Sequence, residues 1–202
     1  MKNLKVPHYL ILFRFLAAPI IVILAYFLEE NSRIPIVVLM YLGLLSDIFD
    51  GIIARKQNIS TEKLRRLDSQ VDLIFWIAIS IATWIIFPKL IHTNRIGLLS
   101  IIVMEAACYI ISLVKFGKET CTHAFLSKMW GITLIIAFTT LIGFNHAGIP
   151  FKITVCLGLL SQLDVILIIL ILPKWTHDIP SSYHAYLIRK NIPFKRNKFL
   201  NG

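Results

Sequence analysis

The chain has 202 residues, of which 57% are hydrophobic, and it carries a formal net charge of +10. Its mean hydropathy of +0.75 excludes an ordinary soluble domain of this length. The basic residues flank apolar runs and form no recognisable nucleic-acid module. The charge therefore indicates anionic lipid headgroups and anionic substrates as partners, and no nucleic acid.

Six apolar runs follow one another along the chain, and each is close to the roughly 20 residues that cross a bilayer as a helix. We therefore predict an all-α, polytopic integral membrane protein with six transmembrane helices in one domain, residues 1–174. Residues 175–202 form a basic, aromatic tail that is predicted to lie on the membrane surface. The predicted spans are Leu10–Leu28, Ile34–Ile53, Leu67–Phe87, Ile96–Val114, Phe125–Phe144 and Ile153–Leu172.

The distribution of Lys and Arg predicts the orientation, because positively charged connectors stay on the cytoplasmic side. With an even number of spans, all but four of the 21 basic residues lie on the side of the two termini. We therefore expect both termini to be cytoplasmic, and we expect the membrane to be a bacterial inner membrane. The four exceptions are Arg33, Lys89, Arg95 and Lys152.

Two pairs of aspartates interrupt this apolar chain at the predicted cytoplasmic face. Asp47 and Asp50 are three residues apart, and Asp68 and Asp72 are four apart on the next helix, for which Thr61 is the predicted N-cap. Residues three or four apart share a helix face, so two neighbouring helices can present both pairs to each other. Clustered carboxylates repel one another and need cations, and all-oxygen ligation favours Mg²⁺ or Mn²⁺ over zinc.

Small and basic residues follow the first pair on the same helix. Gly51 has no side chain, Ala54 keeps the next turn small, and Arg55 adds a cation that matches phosphate geometry. Together with metal-binding carboxylates, these residues indicate a diphosphate site.

The segment from Asp47 to Asp72 reads D-x2-D-G-x2-A-R-x8-L-x3-D-x3-D. It resembles the signature of the CDP-alcohol phosphotransferase family, D-x2-D-G-x2-A-R-x8-G-x3-D-x3-D, and agrees at seven of the eight fixed positions. The exception is Leu64, where the family has a glycine close to the bound nucleotide. The amino-terminal segment also resembles a pattern of the family, at Pro7, Leu10, Arg14 and Pro19. In this chain, His8 and Ile11 stand where that pattern has polar residues.

The resemblance implies an enzyme that transfers a phosphatidyl group from a CDP-linked lipid, such as CDP-diacylglycerol, to a small alcohol and releases CMP. It implies six spans, two Mg²⁺ or Mn²⁺ ions, and a homodimer. By motif position, Asp72 would be the general base and a metal ligand. The other metal ligands would be Asp47, Asp50 and Asp68, and the CDP site would be lined by Asp47, Gly51, Ala54, Arg55 and the position of Leu64.

Basic residues near the fifth span suggest where an acceptor would bind. Many members of the family use phosphorylated acceptors, such as glycerol 3-phosphate or inositol 1-phosphate, which need nearby cations. Lys128 resembles a G-K element of the family and is the first candidate for the acceptor phosphate, with a snorkelling lysine as the alternative. Lys118, Arg65 and Arg66 are further candidates, and a non-phosphorylated acceptor stays open.

Other interpretations remain open from the sequence. A membrane cation transporter, an aspartate-rich prenyltransferase and an inactive relative all accommodate buried carboxylates. Glu105 and Asp164 lie inside predicted spans, where ionisable residues are candidates for function. A structural role is an equal alternative, in which the two acids bond to neighbouring helices, either by pairing with each other or by pairing with Arg14.

Overall fold

A computed structural model describes residues 6–57, 61–120, 122 and 124–194, and this part of the chain is helical with no β-strand. The helices are α1 (Val6–Leu28), α2 (Arg33–Lys56), α3 (Glu62–Ile86), α4 (Pro88–Thr93), α5 (Arg95–Phe116), α6 (Phe125–Phe138), α7 (Ile149–Ile171) and α8 (Ser182–Arg189). A 3-10 turn, Glu29–Ser32, joins α1 to α2, and a π-helical turn, Thr139–Gly143, follows α6.

Five helical stretches of the described chain are long and apolar enough to cross a membrane. They are Val6–Ala54, Glu62–Ile86, Arg95–Phe116, Phe125–Gly143 and Ile149–Ile171. The prediction of an all-helical chain with repeated apolar spans is therefore confirmed.

The first of these stretches, Val6–Ala54, contains α1 and all of α2 except its last two residues. Glu29 turns the chain between them with a left-handed backbone, φ 46°. Arg14 Nη1 lies 3.0 Å from Asp47 Oδ1 although the two residues are 33 apart in sequence. In a straight helix that separation would be about 50 Å, so α1 and α2 fold back on each other as a hairpin.

Helix boundaries differ from the predicted spans mainly where polar residues extend a helix. α3 begins at Glu62 rather than Leu67, and Thr61 is its N-cap as predicted, with Thr61 Oγ1 accepting from the Leu64 N–H at 3.3 Å. α7 begins at Ile149 rather than Ile153, with Pro150 in its first turn, a position that suits proline because its missing N–H would have no helical partner.

The described chain divides into two compact units. The first comprises the described residues up to 93 together with 138–147, and the second comprises the described residues of 94–137 and of 148–194. In the first unit, α1 presents a buried face that includes Arg14 among alanines and isoleucines. Gly43 of α2 lies against Phe75 of α3, and a Cβ at Gly43 would overlap the Phe75 ring. Both α2 and α3 also pack against α1, which therefore lies next to the polar ends of both helices.

The second unit is built around α5, α7 and α8. Gln162 of α7 donates to Glu105 of α5, and Cys108 Sγ lies 3.1 Å from Gln162 Oε1. Part of the predicted tail packs here, since Ala185 of α8 is fully buried in the same apolar core as Ile168 of α7. Residues 195–202 of that tail lie outside the described part of the chain.

Candidate active site

Four carboxylates from α2 and α3 converge in the first unit. Ligand oxygens of Asp47, Asp50 and Asp68 all lie within 4.8 Å of one another, and Asp72 lies one turn after Asp68 on the same face of α3. The one-turn spacing places each pair on one helix face, and the packing of both helices against α1 brings the two faces to Arg14.

Arg14 of α1 binds all four of these carboxylates. Its Nη1 donates to Asp47 Oδ1 at 3.0 Å and to Asp72 Oδ1, and its Nη2 donates to Asp68 Oδ1 at 2.6 Å and to Asp50 Oδ2. The arginine is 1% exposed, and its Nε has no hydrogen-bond partner among the residues that the structure describes. The guanidinium thus sits at the centre of the aspartate cluster.

Sequence reasoning missed this role of Arg14. Glu105 and Asp164 were possible partners of Arg14 from the sequence, and the structure shows the four aspartates instead. A guanidinium inside an apolar span needs carboxylate partners, so the position of Arg14 in its span already indicates from the sequence that it pairs with acidic residues. Choosing among the carboxylates required the packing of α1 on α2 and α3.

The cluster is closed on one side and open on the other. The side chains of Asp50 and Asp68 are 4% and 8% exposed, whereas those of Asp47 and Asp72 are 42% and 29% exposed. A ligand that approaches the cluster therefore reaches Asp47 and Asp72 first.

Leu64 is part of the apolar wall on the closed side. It is 7% exposed and clusters with Ile11, Ala54 and Val71. A cavity of about 10 Å³, enough for roughly one water molecule, lies beside this wall. Its lining residues are Pro7, Ile11, Asp50, Gly51, Ala54, Leu64, Arg65 and Asp68. Leucine thus fills space next to Asp50 and Asp68 at the position where the family signature has glycine.

The remaining predicted site residues lie in different environments. Arg65 is buried beside this cavity, and Arg66 follows it on α3. Arg55 is in α2, with its side chain outside the described part. Lys118 and Lys128 belong to the second unit. There, Lys118 Nζ lies 4.9 Å from the centre of the Trp175 ring, and Lys128 is exposed in the first turn of α6.

The two intramembrane acids of the second unit make local contacts. Glu105 accepts from Gln162 Nε2, which links α5 to α7. Asp164 Oδ1 accepts from the Ser182 N–H at 3.0 Å, which ties α7 to the start of α8. Both contacts fit helix-to-helix bonding.

The aspartate cluster fits a hard divalent cation. All the side chains that could bind a metal ion in it are carboxylates, the ligand type that Mg²⁺ and Mn²⁺ prefer. Ligand oxygens around one Mg²⁺ are about 3 to 4 Å apart, and the 4.8 Å limit among Asp47, Asp50 and Asp68 is close to this range.

Comparison with known proteins agrees with the site. The family model described as CDP-alcohol phosphatidyltransferase matches residues 4–176. A CDP-diacylglycerol–glycerol-3-phosphate 3-phosphatidyltransferase of Rickettsia typhi is 38% identical over 72 residues, which cover 36% of this chain and 39% of that protein. No solved structure matches the chain. From the family match over most of its length, the chain belongs to the CDP-alcohol phosphatidyltransferase family.

Proposed function

We propose that the protein transfers the phosphatidyl group of CDP-diacylglycerol to a small alcohol and releases CMP, as a step of phospholipid synthesis. The observation that carries this proposal is the convergence of the signature aspartates from α2 and α3. The family match and the relative from Rickettsia typhi support it independently.

The side chains of the site suggest a division of labour. Asp47, Asp50, Asp68 and Asp72 would hold one or two Mg²⁺ or Mn²⁺ ions. Such ions, when bound, supply charge neutralisation at the diphosphate. Gly51, Ala54 and Arg55 would line the CDP portion of the donor.

Asp72 is proposed as the general base because its side chain is 29% exposed at the open edge of the cluster. The acceptor oxygen forms a bond to the phosphatidyl phosphorus while the phosphoanhydride bond to CMP breaks. The hydroxyl proton moves to the Asp72 carboxylate, and CMP leaves with the bonding electron pair.

We propose a phosphorylated polyol as the acceptor, of the class of glycerol 3-phosphate or inositol 1-phosphate. The name of the relative from Rickettsia typhi includes glycerol-3-phosphate, although the matched segment covers only 39% of that protein. Arg65, Arg66, Lys118 and Lys128 are the proposed cations for the acceptor phosphate. Lys128 is the first candidate from the family resemblance, and Arg65 is the one of the four that lies beside Asp50 and Asp68.

We further propose six membrane spans, with both termini and the active site at the cytoplasmic face of a bacterial inner membrane. The hairpin of α1 and α2 supports counting the first apolar stretch as two spans. The excess of basic residues on the side of the termini supports the orientation. A homodimer is proposed from the family resemblance alone.

The test uses the full chain purified in detergent or nanodiscs, with CDP-diacylglycerol, Mg²⁺ or Mn²⁺, and a panel of phosphorylated and free alcohols. We expect CMP release that requires both metal and acceptor and stops on addition of EDTA. Asp68→Asn should abolish release, whereas Glu30→Gln, which removes an exposed carboxylate in the turn before α2, should not. A folded protein that releases no CMP with any acceptor would overturn the proposal.

A further inference from the structure

The guanidinium of Arg14 uses the same carboxylates that the proposed function assigns to divalent ions. Its two Nη atoms reach one oxygen of each of the four aspartates. Three of these aspartates are the ones whose ligand atoms lie within 4.8 Å of one another. A metal ion that binds these oxygens must therefore compete with the guanidinium for them.

Arg14 and the aspartates depend on each other electrostatically. Arg14 is 1% exposed on the buried face of α1, so its charge is stable there only with anionic partners. The four carboxylates, in turn, repel one another when no cation lies between them. Arg14 therefore lets α1, α2 and α3 pack together before any ion is bound.

One donor of Arg14 is left without a partner in this arrangement. The Nε–H is buried and makes no hydrogen bond within the described chain. A buried donor that is unsatisfied makes an arrangement less stable than a fully bonded one. The hydrogen bonds that hold the Arg14 guanidinium are therefore those of its two Nη atoms to the aspartates.

We propose that Arg14 is an internal counter-cation of the active site, which holds the four carboxylates in place and which competes with divalent ions for their oxygens. This inference rests on the metal-binding part of the proposed function. It adds that metal affinity is set by competition with a residue of the chain itself.

The test measures Mn²⁺ binding to the full chain without substrate, from the electron paramagnetic resonance signal of free Mn²⁺. Arg14→Gln removes the competing charge and keeps a polar side chain of similar reach. We expect its Mn²⁺ affinity to rise by a factor of about 5 to 150, the usual range for two coupled ligands. The metal-free variant should unfold at a lower temperature than wild type, and Mn²⁺ should stabilise it more.

Two further variants separate competition from a merely structural role. Arg14→Lys keeps one positive charge but lacks the fork that reaches four carboxylates, so its Mn²⁺ affinity should lie between those of wild type and Arg14→Gln. Arg33→Gln is the matched control, because Arg33 donates to the carbonyls of Ile142 and Gly143 in the same unit. Its Mn²⁺ affinity should equal that of wild type.

An unchanged or weaker Mn²⁺ affinity in folded Arg14→Gln would overturn the inference. If that variant does not fold, the Mn²⁺ affinity of Arg14→Lys tests the inference instead. It should be higher than that of wild type, and an unchanged or lower affinity would overturn the inference. The proposed function fails separately, through the absence of CMP release from the wild-type protein whatever its affinity for Mn²⁺.

Discussion

Replacing Leu64 by alanine tests the packing of the wall beside the aspartates. Leu64 is 7% exposed and packs with Ile11, Ala54 and Val71. Buried Leu→Ala changes cost about 2.7–5.0 kcal/mol, and the cost is smaller where the surroundings can collapse. Leu64 lies in the first turn of α3 and already borders a cavity of about 10 Å³. We therefore expect the lower part of that range, about 3 kcal/mol.

The assay is unfolding of the purified protein, followed by the fluorescence of its four tryptophans. Leu67→Ala is the matched control, because Leu67 lies on the same helix and is 44% exposed. It should cost less than about 1 kcal/mol, as expected for an exposed position. Equal losses of stability in the two variants would refute the assignment of Leu64 to a buried wall.

Leu64→Gly restores the residue of the family signature and adds a functional measurement. It opens the wall next to Asp68 and should lower the KM for CDP-diacylglycerol if Leu64 narrows the donor site. The Thr61 cap survives, since it uses only the Leu64 backbone N–H. A KM that is unchanged in a folded variant would show that the donor does not reach this wall.

Three other substitutions probe separate parts of the site. Asp72→Asn should leave Asp47, Asp50 and Asp68 to bind Mn²⁺ and should lower the rate of CMP release by about 10²–10⁴-fold, the usual contribution of a general base; retained turnover would remove Asp72 from that role. Gly43→Ala should destabilise the protein by about 1–3 kcal/mol through overpacking against Phe75, and wild-type stability in thermal unfolding would contradict that close contact. Lys128→Ala should raise the KM for a phosphorylated acceptor far more than the KM for the donor, and equal changes in steady-state assays would argue for an interfacial lysine.

The helices were largely predictable because the signal for them is local. A long apolar run satisfies its backbone polar groups by forming a helix. Apart from their last residues, Phe87 and Leu172, the predicted runs fall in helical segments. The predicted third span begins at Leu67, five residues after the observed start of α3 at Glu62. Glu62–Arg66 is largely polar and does not extend an apolar run. Only the cap at Thr61 signals that the helix starts earlier.

For the candidate site, too, only the features within a single helix were predictable from the sequence. Spacings of three and four residues place each pair of aspartates on one face of its own helix, whatever the rest of the chain does. Gly43 gave no comparable signal, since a glycine in an apolar run does not reveal which aromatic ring it will contact. Leu64 was noticed as a departure from the signature, but its packing with Ile11 joins residues of two different helices.

By itself, the sequence determined an all-helical apolar chain, the spacing of its aspartates and the signature that links it to a family. Only the tertiary structure decided that the partners of Arg14 are these four aspartates and that Leu64 closes the space beside Asp68. The physical reason is that helix faces follow from the covalent order of residues within one helix. The meeting of α1, α2 and α3 depends instead on how closely their side chains allow the helices to pack.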